Sequence, residues 1–420
     1  MRRMDNRMRP AILRGMETET DIIVVGGGLN GAALALGLAG LGCAVTVVDA
    51  QPAGAQEAPG FDGRSYALAL ASQRMLARLG LWQAMEDGAQ PMLEIKVADG
   101  RLGDGAVFLG LHFDHAEIEE GPMGYMVEDR YLRRGLLTAM GASDCITHLR
   151  GETVVAQETT ARGASVTLAS GAVLRGRLII GADGRRSGTR ARAGIGRMQR
   201  GYGQTALVCA IAHDLPHRGI AHQLFLPAGP LAILPLAGNR SSIVWSERTE
   251  LAEKINALPD EAYLQVLRPR FGDFLGDISL AGARFAYPLE LSLADAFVAE
   301  RLALVGDAAH AVHPIAGQGL NAGLRDVAAL VEVLDQARRH GEDFASLAVL
   351  ERYAQWRRFD TASLAVATDV FARLFSNDSA VLRGLRDLGM RAVQGTPALR
   401  RAFIREAAGL TGDVPELMRP

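Results

Sequence analysis

The sequence predicts an α/β protein: a Rossmann-like domain interleaved with a β-sheet lobe, followed by a C-terminal helical region. Three observations carry this. From Ile22 to Val48 no residue is charged, and the run reads strand, glycine-rich turn, helix, strand. The stretch 202–247 consists of short apolar runs broken by Pro227, Pro230 and Pro235, as strands and turns are. After Gly319 the apolar residues recur at helical spacing.

Taken in order, residues 1–20 carry Arg2, Arg3, Arg7, Arg9 and Arg14 without the apolar stretch of a secretory signal. They are expected to form a disordered extension. Asp21–Val25 and Ala44–Val48 are predicted strands flanking a helix over about 29–41. That run is long enough to span a bilayer, but its seven glycines, Asn30 and division into strand and helix blocks argue for a globular unit. Arg64–Leu79 reads as a helix, as does 129–141. Residues 145–180 alternate β runs with turns at Gly151, Gly163 and Gly171, ending in the strand Leu178–Ile180. An antiparallel sheet is expected from Thr205–Ala212, Ala221–Leu226, Leu231–Leu236 and Ser242–Trp245, with one or two strands more in 277–289. Leu302–Val305 is a short buried strand. Leu320, Leu324, Val327, Val331 and Leu334 mark an amphipathic helix. Another helix is expected over about 344–375, and 379–409 sets Leu382, Leu385, Leu388, Phe403 and Ile404 among six arginines.

Composition bounds the chemistry. The 420 residues carry a formal net charge of −2, which removes the electrostatic case for nucleic-acid binding. Cys43, Cys145 and Cys209 are scattered and form no C-x-x-C, so a disulfide framework, a zinc site and a dithiol centre are unsupported. Asp307, His310 and His313 do not make a metal site, because their spacing crosses a Pro-Gly break and no carboxylate-rich stretch accompanies them. Glycine is in surplus, 48 residues, or about 11% against roughly 7% in average usage.

Much of that surplus falls into three motifs. Gly26-Gly27-Gly28-Leu29-Asn30-Gly31 follows a strand and opens a helix. In such a motif Gly26 permits the turn, Gly28 lets the backbone approach a pyrophosphate, and Gly31 allows close helix–strand packing. Asp49 ends the next strand, where a carboxylate reaches ribose hydroxyls. Leu178-Ile-Ile-Gly181-Ala-Asp183-Gly184 is a strand entering a turn, before a helix capped by Ser187. Ala303-Leu-Val-Gly306-Asp307 is likewise a strand running into a turn, and Gly317-Gln318-Gly319-Leu320-Asn321 opens the long helix. The free N–H groups and the helix dipole there favour negative charge, as on an electron-accepting ring that becomes anionic when reduced.

These three motifs, in this order, resemble those of the FAD-dependent aromatic hydroxylases, the single-component flavoprotein monooxygenases. The run from His313 to Asp326, HPIAGQGLNAGLRD, is similar to the signature of the ubiquinone-biosynthesis hydroxylases, the 2-polyprenyl-6-methoxyphenol hydroxylase type. Asp62–Leu68, Gly124–Arg130 and Gly229–Pro235 add to the likeness, while Asn30 departs from the small or apolar residue usual at its position.

The resemblance implies an FAD-binding domain made of 21–80, 125–200 and 290–340, a substrate lobe made of 81–124 and 201–289, and a helical region over 341–420. Gly26, Gly28, Gly31 and Asp49 would hold the ADP half of FAD, with Arg64 and Arg130 lining the cofactor. Asp183 would stand near FAD and a transient NAD(P)H. Gly306 and Asp307 would meet the ribityl or ribose hydroxyls. The backbone of Gly317, Gln318, Gly319, Leu320 and Asn321 would bind the pyrimidine edge, and Pro314 would lie near the reactive flavin carbon. NAD(P)H would reduce FAD, and O₂ would add to give a flavin C4a-hydroperoxide that hydroxylates a polyprenylated phenol. The apolar residues Leu224, Phe225 and Leu231–Leu236 would exclude water. A membrane-borne substrate implies a cytoplasmic protein lying peripherally on the inner face of the membrane, with the C-terminal helices touching lipid or other quinone-pathway enzymes. A hydroxylase of a soluble aromatic compound and a non-catalytic FAD-binding assembly subunit are the alternatives.

Overall fold

The computed structural model describes residues 17–54, 60–99, 110–311, 318–358, 360 and 392–420. Its central layer is a six-stranded sheet of β2 (Ile22–Val25), β3 (Val45–Asp49), β9 (Ile146–Arg150), β13 (Leu178–Gly181), β20 (Val298–Ala299) and β21 (Leu302–Leu304). The order is β20-β21-β13-β2-β3-β9, parallel except for β20. β2, β3 and β13 are buried along their whole length, as strands covered on both faces must be. Helix α1 (Leu29–Gly40) covers one face and packs against α3 (Asp129–Ala142) and α7 (Gln318–Arg339). The other face meets a four-stranded sheet of β1 (Glu17–Glu19), β10 (Val154–Thr160), β11 (Gly163–Leu168) and β12 (Val173–Gly176).

A nine-stranded sheet forms the second body of the molecule. It holds β6 (Glu94–Asp99), β7 (Leu111–Asp114), β14 (Arg197–His213), β15 (Ile220–Leu226), β16 (Gly229–Leu236), β17 (Arg240–Arg248), β18 (Ile278–Leu280), β19 (Phe285–Ala294) and β22 (His310–Ala311). Side chains alternate across it. Leu207, Cys209, Ile211, Leu231, Ile233, Ile243 and Trp245 pack with Tyr263 and Leu267 under α5 (Thr249–Asn256) and α6 (Asp260–Phe271). The opposite face carries Ala206, Val208, Ala210, Ala232, Leu234, Ser242 and Val244. It turns toward a small antiparallel sheet of β4 (Ser65–Ala69), β5 (Ala89–Met92) and β8 (Gly124–Glu128), where Met92 and Met126 meet Ala210 and Leu236. Helices α2 (Leu70–Arg78), α4 (Gly188–Arg192), α8 (347–358) and α9 (Pro397–Ala407) complete the described elements discussed below.

Several expectations change. Glu17–Glu19 is not part of a disordered tail, because its backbone pairs in parallel with Val173–Arg175 of β12; residues 1–16 lie outside the described residues. The helix expected over Arg64–Leu79 begins at Leu70, because Ser65–Ala69 is drawn into pairing with Glu128–Gly124. The sheet expected to be antiparallel is not wholly so, since β15 takes β6 as a parallel neighbour. Within 81–124, β5 joins the small sheet while β6 and β7 join the large one. The third motif also contributes β22 to the large sheet, paired with Ser292 and Leu293. Of the C-terminal arginines, those at 383, 386 and 391 lie outside the described residues.

Candidate functional site

The first glycine turn is shaped by what surrounds it. Gly26 has φ +104°, and a Cβ on it would stand 2.5 Å from the Ala182 carbonyl oxygen, so the first motif is pressed against the second. A Cβ on Gly31 would fall 1.9 Å from the carbonyl oxygen of Gly26. Gly28 differs: nothing lies within 4 Å of its Cβ position. It is the N-cap of α1 yet offers no side-chain cap, and no acid occupies the first turn. The first N–H groups of the helix therefore meet an open face at the positive end of the dipole, where an anion is favoured. Asp49, 6% exposed, ends β3 beside this turn, its Oδ1 accepting from the Gln51 N–H at 2.9 Å.

At the second motif the Asp183 carboxylate works locally. It accepts from Ser187 Oγ at 2.5 Å and from the N–H and Oγ1 of Thr189 at 2.9 Å each. Ser187 caps α4 as expected, accepting from the Arg190 N–H. The backbone of 182–183, rather than the carboxylate, is what reaches Gly26.

The third motif rests on a buried charge cluster. Gly306 (φ +60°) donates its N–H to Asp326 Oδ2 at 2.9 Å, and the same oxygen lies 2.6 Å from His310 Nε2. Arg357 of α8 donates from Nε to Asp326 Oδ1 at 2.8 Å and from Nη1 to Asp360 at 2.6 Å. The neighbouring Asp307 has its carboxyl pushed above the ordinary range by burial, against the pull of Arg185 and His310. The Asn30 amide fills the gap left by two glycines, lying 2.4 Å and 2.3 Å from where Cβ atoms on Gly306 and Gly323 would be. Its buried Oδ1 has no hydrogen-bond partner among the described residues. Asn30 thereby joins the first motif to the third.

Gln318, Gly319 and Leu320 form the partly exposed first turn of α7, and the Cβ position of Gly319 is open. Asn321 turns its side chain onto the β4–α2 junction: Oδ1 accepts from the Ala69 N–H and Ser72 Oγ, and Nδ2 donates to the Ala67 carbonyl, all at 2.8 Å. Pro314 and Gly317 lie outside the described residues. Arg64 donates to Asp62 at 2.8 Å and stands 3.5 Å from Asp129. Arg130 and Arg240 share Glu128, each at 2.7 Å, with the Phe61 ring within 6 Å of both guanidinium carbons. The two arginines thus tie the small sheet to β17. Asp326 and Glu128 are visible in the sequence only inside runs of signature residues, and nothing there points to Arg357 or Arg240, whose roles arise from contacts across 31 and 112 residues of chain.

Over the face of the large sheet turned away from α5 and α6 (the cleft face) runs one registered row: Phe285, Val208, Val244, Ala232, Gln223, Val97 and Leu111. Val208, Val244 and Gln223 keep partial exposure although they sit in central strands, so open space lies above them. The apolar lining expected from Leu224, Phe225 and Leu231–Leu236 is split by the alternation. Leu224, Leu231 and Ile233 face α5 and α6, whereas Ala232 and Leu234 face the cleft.

A parallel sheet bearing an open glycine turn, a buried acid at the end of the second strand and a facing apolar sheet defines a dinucleotide-binding α/β enzyme. Residues 19–366 match the family described as FAD binding domain. The chain is 48% identical over 402 residues to ubiquinone hydroxylase UbiL of Rhodospirillum rubrum, covering 95% of this chain and 92% of that one. It is 36% identical over 394 residues to 3-demethoxyubiquinol 3-hydroxylase of Escherichia coli, covering 93% and 99%. In fold it is similar to p-nitrophenol 4-monooxygenase PnpA from Pseudomonas putida, with a TM-score of 0.78 at 20% identity, covering 95% and 100%. The chain belongs to the family of FAD-dependent aromatic hydroxylases, of the ubiquinone type, and is an FAD-dependent monooxygenase. The residues present fit that cofactor: the uncapped helix end and open Gly28 suit a pyrophosphate, Asp49 suits ribose, and the orphaned Asn30 Oδ1 calls for a donor.

Proposed function

We propose that the chain hydroxylates the aromatic ring of a prenylated phenol in ubiquinone biosynthesis, with NAD(P)H and O₂ as co-substrates. Bound FAD supplies electron transfer from NAD(P)H and the activation of O₂. In this reading the six-stranded sheet and its covering layers form the FAD domain, and the nine-stranded sheet forms the substrate lobe. Gly26, Gly28, Gly31 and Asp49 hold the ADP half, Asp307 meets the ribityl chain, and the backbone from Gly317 to Asn321 binds the ring edge. Pro314 is assigned to the reactive carbon on the resemblance alone, Arg64 and Arg130 stand at the border of the cleft, and Asp183 fixes the turn beside Gly26.

The observation that carries the substrate class is the registered row, which holds apolar residues and one amide but no charge. A soluble aromatic acid would call for a cation there. Arg218 is exposed in the turn between β14 and β15, and Arg240 is held by Glu128. An apolar cleft also excludes water from the reacting ring. The test is Val244→Arg, which places a charge over the centre of the row. The variant is expected to keep its flavin while forming hydroxylated prenylphenol at least about 100-fold more slowly, as one unpaired buried charge is worth several kcal/mol. Unchanged product formation, followed by mass spectrometry, would remove the row as the substrate surface.

We further infer a peripheral contact of α9 with the inner face of the membrane. Leu399 and Phe403, one helical turn apart, are 44% and 42% exposed, beside the exposed Arg401. Arg400 and Arg405 are engaged by Glu117 and Glu120, so the contact rests on the apolar pair more than on charge. Among the described residues no helix is long and apolar enough to cross a membrane. Changing both Leu399 and Phe403 to Glu is expected to lower co-sedimentation with anionic vesicles about tenfold or more, since each buried side chain contributes roughly 1.5–3 kcal/mol. Equal sedimentation of the variant and native chains would refute the contact.

A further inference from the structure

The cluster beneath Asp49 contains a histidine that lies in none of the glycine motifs. We propose that His148 is a positioning residue for the adenosine end of FAD, turning its Nε2–H toward the Asp49 carboxylate across 3.9 Å and orienting it electrostatically rather than through a hydrogen bond. The inference rests on the assignment of Asp49 to FAD.

β9 lies beside β3 with His148 opposite Val47 and Arg150 opposite Asp49. All four side chains therefore rise on one face of the sheet. Arg150 Nε, which only donates, gives its hydrogen to His148 Nδ1 at 3.3 Å. That bond sets the tautomer and leaves the imidazole proton on Nε2. Nε2 is sealed from solvent, has no hydrogen-bond partner among the described residues and stands 3.9 Å from Asp49 Oδ2. Both atoms converge on the glycine turn: a Cβ on Gly27 would fall 2.5 Å from Asp49 Oδ2 and 2.9 Å from His148 Nε2. The glycine at that position thus makes room for the acid and the imidazole together. Burial, and then the Arg150 charge, push the His148 pKa below its ordinary value, against the pull of Asp49. The ring is accordingly neutral near pH 7 and offers the carboxylate a dipole rather than a competing cation.

A buried N–H dipole facing a carboxylate oxygen at 3.9 Å biases that oxygen's orientation electrostatically, strongly so where solvent is excluded. Asp49 is held at Oδ1 by the Gln51 N–H and faced at Oδ2 by His148, so its plane is set before the cofactor arrives. Preorganisation of this kind lowers the free-energy cost of binding without any contact between His148 and the ligand.

The test is titration of the apoprotein with FAD, followed by quenching of flavin fluorescence. His148→Met, similar in volume but without an N–H, is expected to weaken the Kd about tenfold. His148→Gln, whose amide N–H extends to the place of Nε2, should stay within about twofold of the native chain. Asp49→Asn should weaken binding by itself, and adding His148→Met to it should cost little more, because the histidine acts through the carboxylate. Equal losses in His148→Met and His148→Gln, or losses that add fully with Asp49→Asn, would reduce His148 to a packing residue and overturn the proposal. Native affinity in His148→Met would do the same. If Asp49→Asn alone binds FAD as tightly as the native chain, the Asp49 assignment falls and this inference with it.

Discussion

Replacing Asp326 by alanine is expected to lower the stability of the fold by about 3–5 kcal/mol, read as a fall in the denaturant midpoint, and to reduce the flavin content of the purified protein. Asp326 is fully buried and serves three donors at once, the Gly306 N–H, His310 and Arg357. Removing the carboxylate leaves the Arg357 guanidinium, itself 2% exposed, with Asp360 as its remaining acid. It also strands the N–H of Gly306, whose positive φ sets the turn that carries Asp307, a residue proposed above to meet the cofactor. Stability and cofactor retention should therefore fall together. Asn at 326 should be milder, since it keeps the shape and an acceptor while losing the charge.

The same cluster sets an acid limit. Burial opposes ionisation of Asp326, but the charges and hydrogen bonds of His310 and Arg357 outweigh it and hold the carboxyl below its ordinary value. A depressed pKa in the folded state contributes stability above the unfolded value of roughly 3.9. That contribution is lost as pH falls through the lower folded value. The native chain should thus lose stability steeply below about pH 4, and Asp326→Ala should show a shallower loss over the same range. An identical acid profile in both chains would mean that the carboxylate does not carry the linkage.

The elements that could be read from the sequence are those whose local pattern and tertiary setting agree. The strand–turn–helix–strand of Ile22–Asp49 is one, because both faces of its strands are apolar and the glycines fall where the backbone must turn. The long helix from Gln318 is another, its apolar spacing matched by burial along the face toward α1. Ser65–Ala69 was misread because five residues of modest propensity follow whichever partner is nearby, and that partner, β8, lies some sixty residues away. The alternation in β15 and β16 was visible, but not which set of residues faced the cleft; that depends on the covering helices α5 and α6. Asp183 shows the limit for a site residue. The resemblance implies a place near FAD and NAD(P)H, while in the fold its carboxylate is taken by Ser187 and Thr189, which the spacing alone does not reveal.

The glycines of the first motif separate folding from binding in a way two variants can test. In Gly31→Ala the new methyl would lie 1.9 Å from a backbone oxygen, a contact that only movement of the whole turn relieves. That variant is expected to lose both apoprotein stability, by a few kcal/mol as for other overpacked cores, and FAD. Gly28→Ala is different. Gly28 has φ −67° and ψ −175°, a conformation any residue adopts, and its Cβ direction is empty of protein atoms. No contact among the described residues requires glycine there. Its methyl would project onto the open face before the first N–H groups of α1, where close approach of a pyrophosphate is what demands a bare backbone. The apoprotein of Gly28→Ala should unfold within about 1 kcal/mol of the native chain. Its affinity for FAD, measured by fluorescence titration, should fall by about 100-fold, the loss of some 2.7 kcal/mol of binding. If Gly28→Ala instead binds FAD normally, the pyrophosphate does not lie against this turn. The open face at the α1 N-terminus would then need another occupant.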